Sequence, residues 1–216
     1  MRLNPWLALA VLVAACAPPA GQTAFGIDEQ LDEAEAKDFC DRWMALQGRD
    51  SPEAALLRAE LALQVPMSVV DVAYCVNREQ LKLQAMQDAL RASEQLPNNP
   101  SSWLVLAAWL QKTQASPERI AEATCRGAQQ SAGSPVAWQA CGDWRRQAND
   151  AQGAVEAWTR AFELSANRGE QCALIQRIRT TSMSPQQALE ALPQEVVQQC
   201  EARQRRAQKA KRHERW

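Results

Sequence analysis

A period of 34 to 35 residues runs through the middle of the chain and limits the folds that it can adopt. Three prolines open related stretches, which read PMSV at Pro66, PSSW at Pro100 and PVAW at Pro135. Each start is followed by a motif of spaced small residues, which begins at Ala85 in the first copy. A fixed period of this length indicates a repeat architecture, in which each unit buries its apolar face by stacking on its neighbours.

The repeat resembles the tetratricopeptide repeat, a family of antiparallel helix pairs with a tryptophan and small residues at fixed positions over 34 residues. Residues 135–168 match best, through Trp138, Cys141, Gly142, Ala154, Trp158 and Ala161. Residues 66–99 match less well, since Val69 stands where the tryptophan should be. The resemblance implies an all-α fold, an α-solenoid of about five helix pairs over residues 28–192. A capping helix and a basic tail would then occupy residues 193–216.

Four Ser-Pro pairs predict helix starts within this pattern. Serine is a good N-cap acceptor, and proline fits the first helical turn because no donor is needed there. The pairs begin at Ser51, Ser116, Ser134 and Ser184.

The first residues resemble the signal of a bacterial lipoprotein. The apolar stretch from Trp6 to Ala15 is too short to span a ~30 Å hydrocarbon core, and it ends in VAAC at Cys16. The resemblance implies a signal peptide over residues 1–15, a palmitate-type acyl anchor on Cys16 and a tether over residues 16–27. In Gram-negative bacteria, Ala17 after the cysteine would favour the outer membrane, facing the periplasm. An ordinary cleaved leader with an incidental cysteine is the alternative.

Six further cysteines follow, and an exported chain allows them to form disulfides. The sequence has no C-x2-C pair and one histidine, His213, so we expect no structural zinc site. Helix positions implied by the repeat family suggest three bridges: Cys125 with Cys141, Cys172 with Cys200, and Cys40 with Cys75. In the last pair, both cysteines would lie on the first helices of successive units. Six free thiols packed as small apolar residues remain the alternative.

No catalytic motif occurs in the sequence, and we therefore expect no catalytic residues, no cofactor and no enzymatic activity. In the repeat family, the first helices of successive pairs line a concave groove that binds a partner protein. Carried over to this chain, the groove would contain Tyr74, Asn77, Arg78, Leu104, Ala108, Gln111, Lys112, Gln139, Asp143, Arg146 and Gln147.

These expectations together describe a non-catalytic adaptor or scaffold, held in the bacterial envelope by lipid. Relatives of this kind assist the assembly of secretion, pilus or cell-wall complexes, which is what the resemblance implies here. The alternative is a structural subunit of a large envelope machine, with its tryptophan-rich faces buried against fixed partners.

The basic end of the chain contrasts with its net charge of −1. Residues 201–216 hold seven Lys or Arg against Glu201 and Glu214. Export argues against nucleic acid as a partner for this run. Anionic lipid headgroups or an acidic protein are open alternatives, and a solvated helix end is the simplest interpretation.

Overall fold

The computed structural model describes residues 27–131 and 133–213, and over these ranges all the regular secondary structure is helical, as the sequence predicts. The described residues form eleven helices and contain no strand. The helices are α1 (Ile27–Leu46), α2 (Pro52–Gln64), α3 (Met67–Val72), α4 (Arg78–Gln95), α5 (Pro100–Lys112), α6 (Pro117–Gln130), α7 (Pro135–Gln147), α8 (Ala151–Leu164), α9 (Arg168–Thr181), α10 (Pro185–Glu190) and α11 (Gln194–His213).

All four Ser-Pro pairs lie at helix starts, with the proline as the first helical residue. The Oγ of Ser51 accepts a hydrogen bond from the Ala54 amide at 3.2 Å, and Ser134 caps α7 in the same way. Ser116 and Ser184 make no such bond, so the proline alone marks those two starts. The local sequence therefore determines where these helices begin.

The chain forms two compact units, one ending at Asp88 and one beginning at Ala89. We call them the N-terminal unit and the C-terminal unit. In the N-terminal unit, α1 packs on α2 and on α3. Its buried apolar side chains include Phe39 and Trp43, whose rings stack with centroids 5.8 Å apart.

The N-terminal unit departs from the repeat at its second helix pair. The stretch from Pro66 forms only the six-residue α3, and residues 73–77 are not helical. Cys75 lies in this segment, so the expectation that it sits on a first helix is wrong. One local reason is Asn77, whose Oδ1 accepts from the Gln80 amide at 2.9 Å and caps a new helix, because an N-cap residue takes a non-helical backbone.

In the C-terminal unit, helices pack mainly on their neighbours in sequence. Helices α5 to α9 contact one another in order, and α9, α10 and α11 pack together at the end. Trp109 and Trp158 are fully buried, as are the small residues Ala92 and Ala161. Small side chains allow the helices to approach closely, and the tryptophans fill the remaining space.

Candidate partner-binding surface

Three disulfides join the six cysteines in the pairs that the repeat pattern suggested. The Cα atoms are 5.6 Å apart in Cys40–Cys75, 4.7 Å in Cys125–Cys141 and 5.2 Å in Cys172–Cys200. The second bridge links α6 to α7, and the third links α9 to α11. Each restricts the unfolded chain, so the helices that carry the candidate surface are held together covalently. Cys16, the predicted lipidation site, lies outside the described residues.

Three of the predicted groove residues belong to the N-terminal unit, around the break between α3 and α4. Tyr74 is 76% exposed, and it lines a shallow cleft formed by residues 70 to 80. Asn77 is occupied in capping α4, and the Arg78 guanidinium binds both carboxylate oxygens of Asp71. Tyr74 is thus the member of this group whose side chain extends furthest into solvent.

Four predicted groove residues lie on α5, and they differ in what they contact. Leu104 packs against α6, since a Cβ placed on Gly127 would lie 2.8 Å from its Cδ2 atom. Ala108 is half-buried, whereas Gln111 is exposed. The ammonium group of Lys112 lies 5.3 Å from the ring centroid of Trp109.

Asp143, on α7, contacts side chains of the two helices that follow it. It accepts a hydrogen bond from the indole N–H of Trp158 at 3.1 Å and forms an ion pair with Arg177. The Arg177 guanidinium also lies 5.9 Å from the Trp158 ring centroid. Asp143 therefore connects α7, α8 and α9 through one carboxylate oxygen, while its side chain remains 38% exposed.

The other three predicted residues of α7 are more accessible. Gln139 is half-buried, while Arg146 and Gln147 are exposed near the end of the helix. Gln111 of α5 and Arg146 and Gln147 of α7 are thus exposed polar side chains on the odd-numbered helices of the C-terminal unit.

A cleft that the sequence did not predict opens on the C-terminal unit, with a volume of about 430 Å³. The Trp103 indole N–H donates to the carbonyl of Pro97 at 2.8 Å. This hydrogen bond holds the nitrogen-bearing edge of the ring against the backbone of Pro97. The Arg126 guanidinium lies 4.9 Å from the Trp103 centroid and 3.1 Å from a carboxylate oxygen of Glu122. The cleft is lined by Pro97, Asn98, Trp103, Glu122, Cys125, Arg126, Gln129, Gln130 and Arg145.

A stacked guanidinium beside amide side chains is suited to polar peptide groups, through cation–π and hydrogen-bond contacts. One sequence signal for this cleft was the i, i+4 spacing of Glu122 and Arg126 on a helix. Trp103 is the tryptophan of the PSSW stretch, and its half-exposed position depends on the neighbouring helices.

The N-terminal unit contains a buried ion pair that the sequence analysis also missed. Arg58 on α2 and Asp88 on α4 form two hydrogen bonds of 2.7 Å, and their side chains are 7% and 9% exposed. Arg58 further donates to the carbonyl oxygens of Leu46 and Arg49, at 2.8 Å and 3.2 Å. The hydrogen bond with Asp88 raises the pKa of Arg58 above its ordinary value, so the buried guanidinium stays charged. No spacing rule connects residues that are 30 positions apart.

Other chemical features of the described residues are few. No group of three or more His, Cys, Asp or Glu side chains within residues 27–131 and 133–213 is arranged to hold a metal ion. Burial raises the pKa of Glu60, on α2, above its ordinary value. Among the described helices, none has the length and apolar character needed to cross a membrane.

Comparison with known proteins adds no relative. No protein-family model matches the sequence, and no curated protein matches it significantly. The interpretation of these surfaces therefore depends on their own geometry and chemistry.

Proposed function

We propose that this protein is a non-catalytic adaptor of the bacterial cell envelope, anchored by lipid on Cys16. Its C-terminal unit is a tetratricopeptide-like array that binds a segment of another envelope protein. The site would contribute shape and hydrogen bonds, and no reaction would take place there.

The observation that carries the proposal is the packing order of the C-terminal unit. Helices α5 to α9 pack on their sequence neighbours, which is the pattern expected for stacked helix pairs. Such an arrangement leaves one side of successive first helices uncovered by the chain itself. Gln111, Arg146 and Gln147 are exposed on those helices.

Three disulfides support export. Disulfides persist in oxidising compartments and are rare in the cytosol, where thiols are kept reduced. All six cysteines of the described residues are paired. This agrees with the lipoprotein-like signal at residues 1–16 and with a location facing the periplasm.

Site-specific photocrosslinking in intact cells tests the adaptor function. A photoreactive amino acid is placed at Gln111 and, in a second variant, at Gln147, in the full chain. We expect each to crosslink to one envelope protein, identified by mass spectrometry, because both side chains are exposed on first helices.

Matched controls carry the same amino acid at Arg119 on α6 and at Gln152 on α8, which are equally exposed but lie on second helices. The proposal requires that these positions give no crosslink to that protein. Equal crosslinking from both sets, or none from either, would contradict it.

A structural subunit is the second candidate, and the N-terminal unit favours it. Four large apolar side chains of this unit are exposed by 51 to 76%: Met44, Leu57, Tyr74 and Leu83. Trp43 is buried in the same unit, so the surface open to a fixed partner is not the tryptophan-rich one anticipated from the sequence. Native extraction separates the candidates, because a subunit elutes only within a large complex and an adaptor is recovered as a free chain.

A further inference from the structure

Helix α11 has two halves with different surroundings. In its first half, Val197 and Cys200 are buried, and Cys200 is bonded to Cys172 of α9. Glu201 forms an ion pair with Arg179 of α9. This half is therefore an integral part of the C-terminal unit.

Beyond Glu201, the helix leaves the packed unit. Every side chain that is described between Ala202 and Ala210 is exposed, on all sides of the helix. The helix continues to His213, and twelve residues at 1.5 Å each correspond to a projection of about 18 Å.

The projecting half is strongly and uniformly basic. Four exposed cations lie on it, Arg203, Arg205, Arg206 and Lys209, and the sequence continues with Lys211 and Arg212. No acidic residue occurs between Glu201 and Glu214. Within the described residues, Glu201 pairs with Arg205 at 3.3 Å, and no ion pair forms at Arg203, Arg206 or Lys209.

The helix spacing increases the repulsion among these charges. Lys209 is three residues from Arg206 and four from Arg205, and positions with these separations are neighbours on a helix surface. Like charges at such positions destabilise a helix, so the projecting half gains stability when an anion lies close to it.

The chemistry of this half distinguishes between anionic partners. Alanine is its only apolar residue type, whereas the centre of a protein–protein interface is apolar or aromatic. Without an apolar face, the helix has no means of inserting into lipid. Cations around a solvated helix are suited to a broad anionic surface, which they approach without a specific fit.

We propose that the projecting half of α11, residues 202–213, binds the anionic phospholipid headgroups of a membrane surface. Electrostatic attraction of this kind acts within a Debye length, about 8 Å at physiological ionic strength. This inference rests on the proposed function in one respect, because the lipid anchor would bring the helix close to a membrane. The electrostatic attraction itself needs no acyl chain. A lipid anchor and a basic segment together would hold this face of the protein towards the bilayer.

Hydrogen exchange on the reconstituted full chain tests the proposal. The chain is purified in detergent and incorporated into vesicles of phosphatidylcholine alone, or of phosphatidylcholine with phosphatidylglycerol. We expect amide exchange over residues 202–213 to slow by about tenfold or more on the anionic vesicles only, and high salt to reverse this.

Two variants of equal net charge provide the control. One replaces cations of the projecting half, as Arg203→Gln, Arg206→Gln, Lys209→Gln and Lys211→Gln. The other replaces exposed cations of other helices, as Lys37→Gln, Arg119→Gln, Arg160→Gln and Arg168→Gln. The first should abolish the slowing, whereas the second should retain it.

Three results would overturn the proposal: equal exchange on both kinds of vesicle, loss of protection in both variants, or protection by soluble polyglutamate without protection by anionic vesicles. The last result would indicate an acidic protein as the partner. The mass of the N-terminal peptide shows independently whether Cys16 is acylated, so failure of the anchor and failure of the headgroup contact are distinguishable.

Discussion

The two units of this protein are stabilised in different ways. In the C-terminal unit, regular helices of 13 or 14 residues pack through alanine, glycine and tryptophan, and the ion pairs are at least partly exposed. In the N-terminal unit, α3 has only six residues, of which Val69 and Val70 are buried, and Arg58 and Asp88 are buried together near the end of α1. Both units are cross-linked by disulfides. The difference is that the N-terminal unit, where the repeat pattern is lost, adds a buried charged pair between its helices.

Removal of the buried arginine is expected to have the largest effect. Arg58→Ala leaves Asp88 charged and without its partner in a buried position, which costs about 3–5 kcal/mol of the free energy of unfolding. Chemical denaturation followed by circular dichroism measures the change.

The matched control is Arg177→Ala in the C-terminal unit, where the pair with Asp143 is 35% and 38% exposed. We expect it to cost less than about 1 kcal/mol, because water replaces the lost partner. Equal costs for the two variants would remove the distinction between the units.

Disulfide removal should show the next largest effect. Replacing Cys40 and Cys75 by alanine opens a loop of 35 residues, while replacing Cys125 and Cys141 opens one of 16. Both should cost about 3–4 kcal/mol, and the first about 0.7 kcal/mol more, since loop-closure entropy grows with loop length.

The measurement is guanidinium unfolding without reductant, with the wild-type protein that retains all three disulfides as the common reference. A larger cost for the shorter loop would mean that packing outweighs chain entropy, since Cys125 and Cys141 are both buried whereas Cys75 is only half-buried.

Glycine substitution tests close packing within the C-terminal unit. Gly142→Ala places a methyl group against the indole ring of Trp158, which is buried and hydrogen-bonded to Asp143. We expect a loss of about 1–2 kcal/mol, because overpacking of a rigid ring exceeds the gain in helix propensity.

Gly127→Ala is its control, since the close contacts of the added methyl would be with the flexible side chain of Leu104, at 2.8 and 3.0 Å, and Trp103 Cβ would lie at an ordinary 3.4 Å. Thermal unfolding should show little change or a small gain for this variant. If both variants are equally destabilised, the rigidity of Trp158 is not the cause.

The smallest expected effect concerns pH and the N-terminal unit. Burial raises the pKa of Glu60, so the folded state holds its proton more tightly than the unfolded state. The contribution of protonated Glu60 to the free energy of unfolding is greatest below the unfolded pKa near 4.3. It is lost as pH rises through the folded pKa. Glu60→Gln should therefore stabilise the protein at pH 7, by at most about 0.5 kcal/mol, and the gain should vanish near pH 3.

Glu35→Gln, at an exposed position of α1, provides the comparison in the same denaturation experiment. If Glu60→Gln stabilises the protein equally at all pH values, burial of the Glu60 charge is not the source of the stabilisation.

The sequence alone predicted what depends on local or periodic chemistry. Ser-Pro pairs gave four helix starts, because capping and the fixed proline backbone act within one turn. The resemblance to the repeat predicted the all-helical class and the three cysteine pairs, and Cys125 and Cys141 do lie on neighbouring helices that pack together. Cys40 and Cys75 are bonded although Cys75 does not lie on the helix on which the prediction placed it. The groove, by contrast, was predicted from helix positions alone, and the sequence does not show which side chains of other helices lie next to those positions.

Tertiary structure decided how individual side chains are used. Asp143, a predicted groove residue, also binds the Trp158 indole and the Arg177 guanidinium, because helices α8 and α9 bring those groups to it. Arg58 and Asp88 look like ordinary surface charges in the sequence, and only the folding of α2 and α4 buries them together. A helix pattern determines which way a residue faces on its own helix, and the energy of a charge or a ring depends on what the rest of the chain places opposite it.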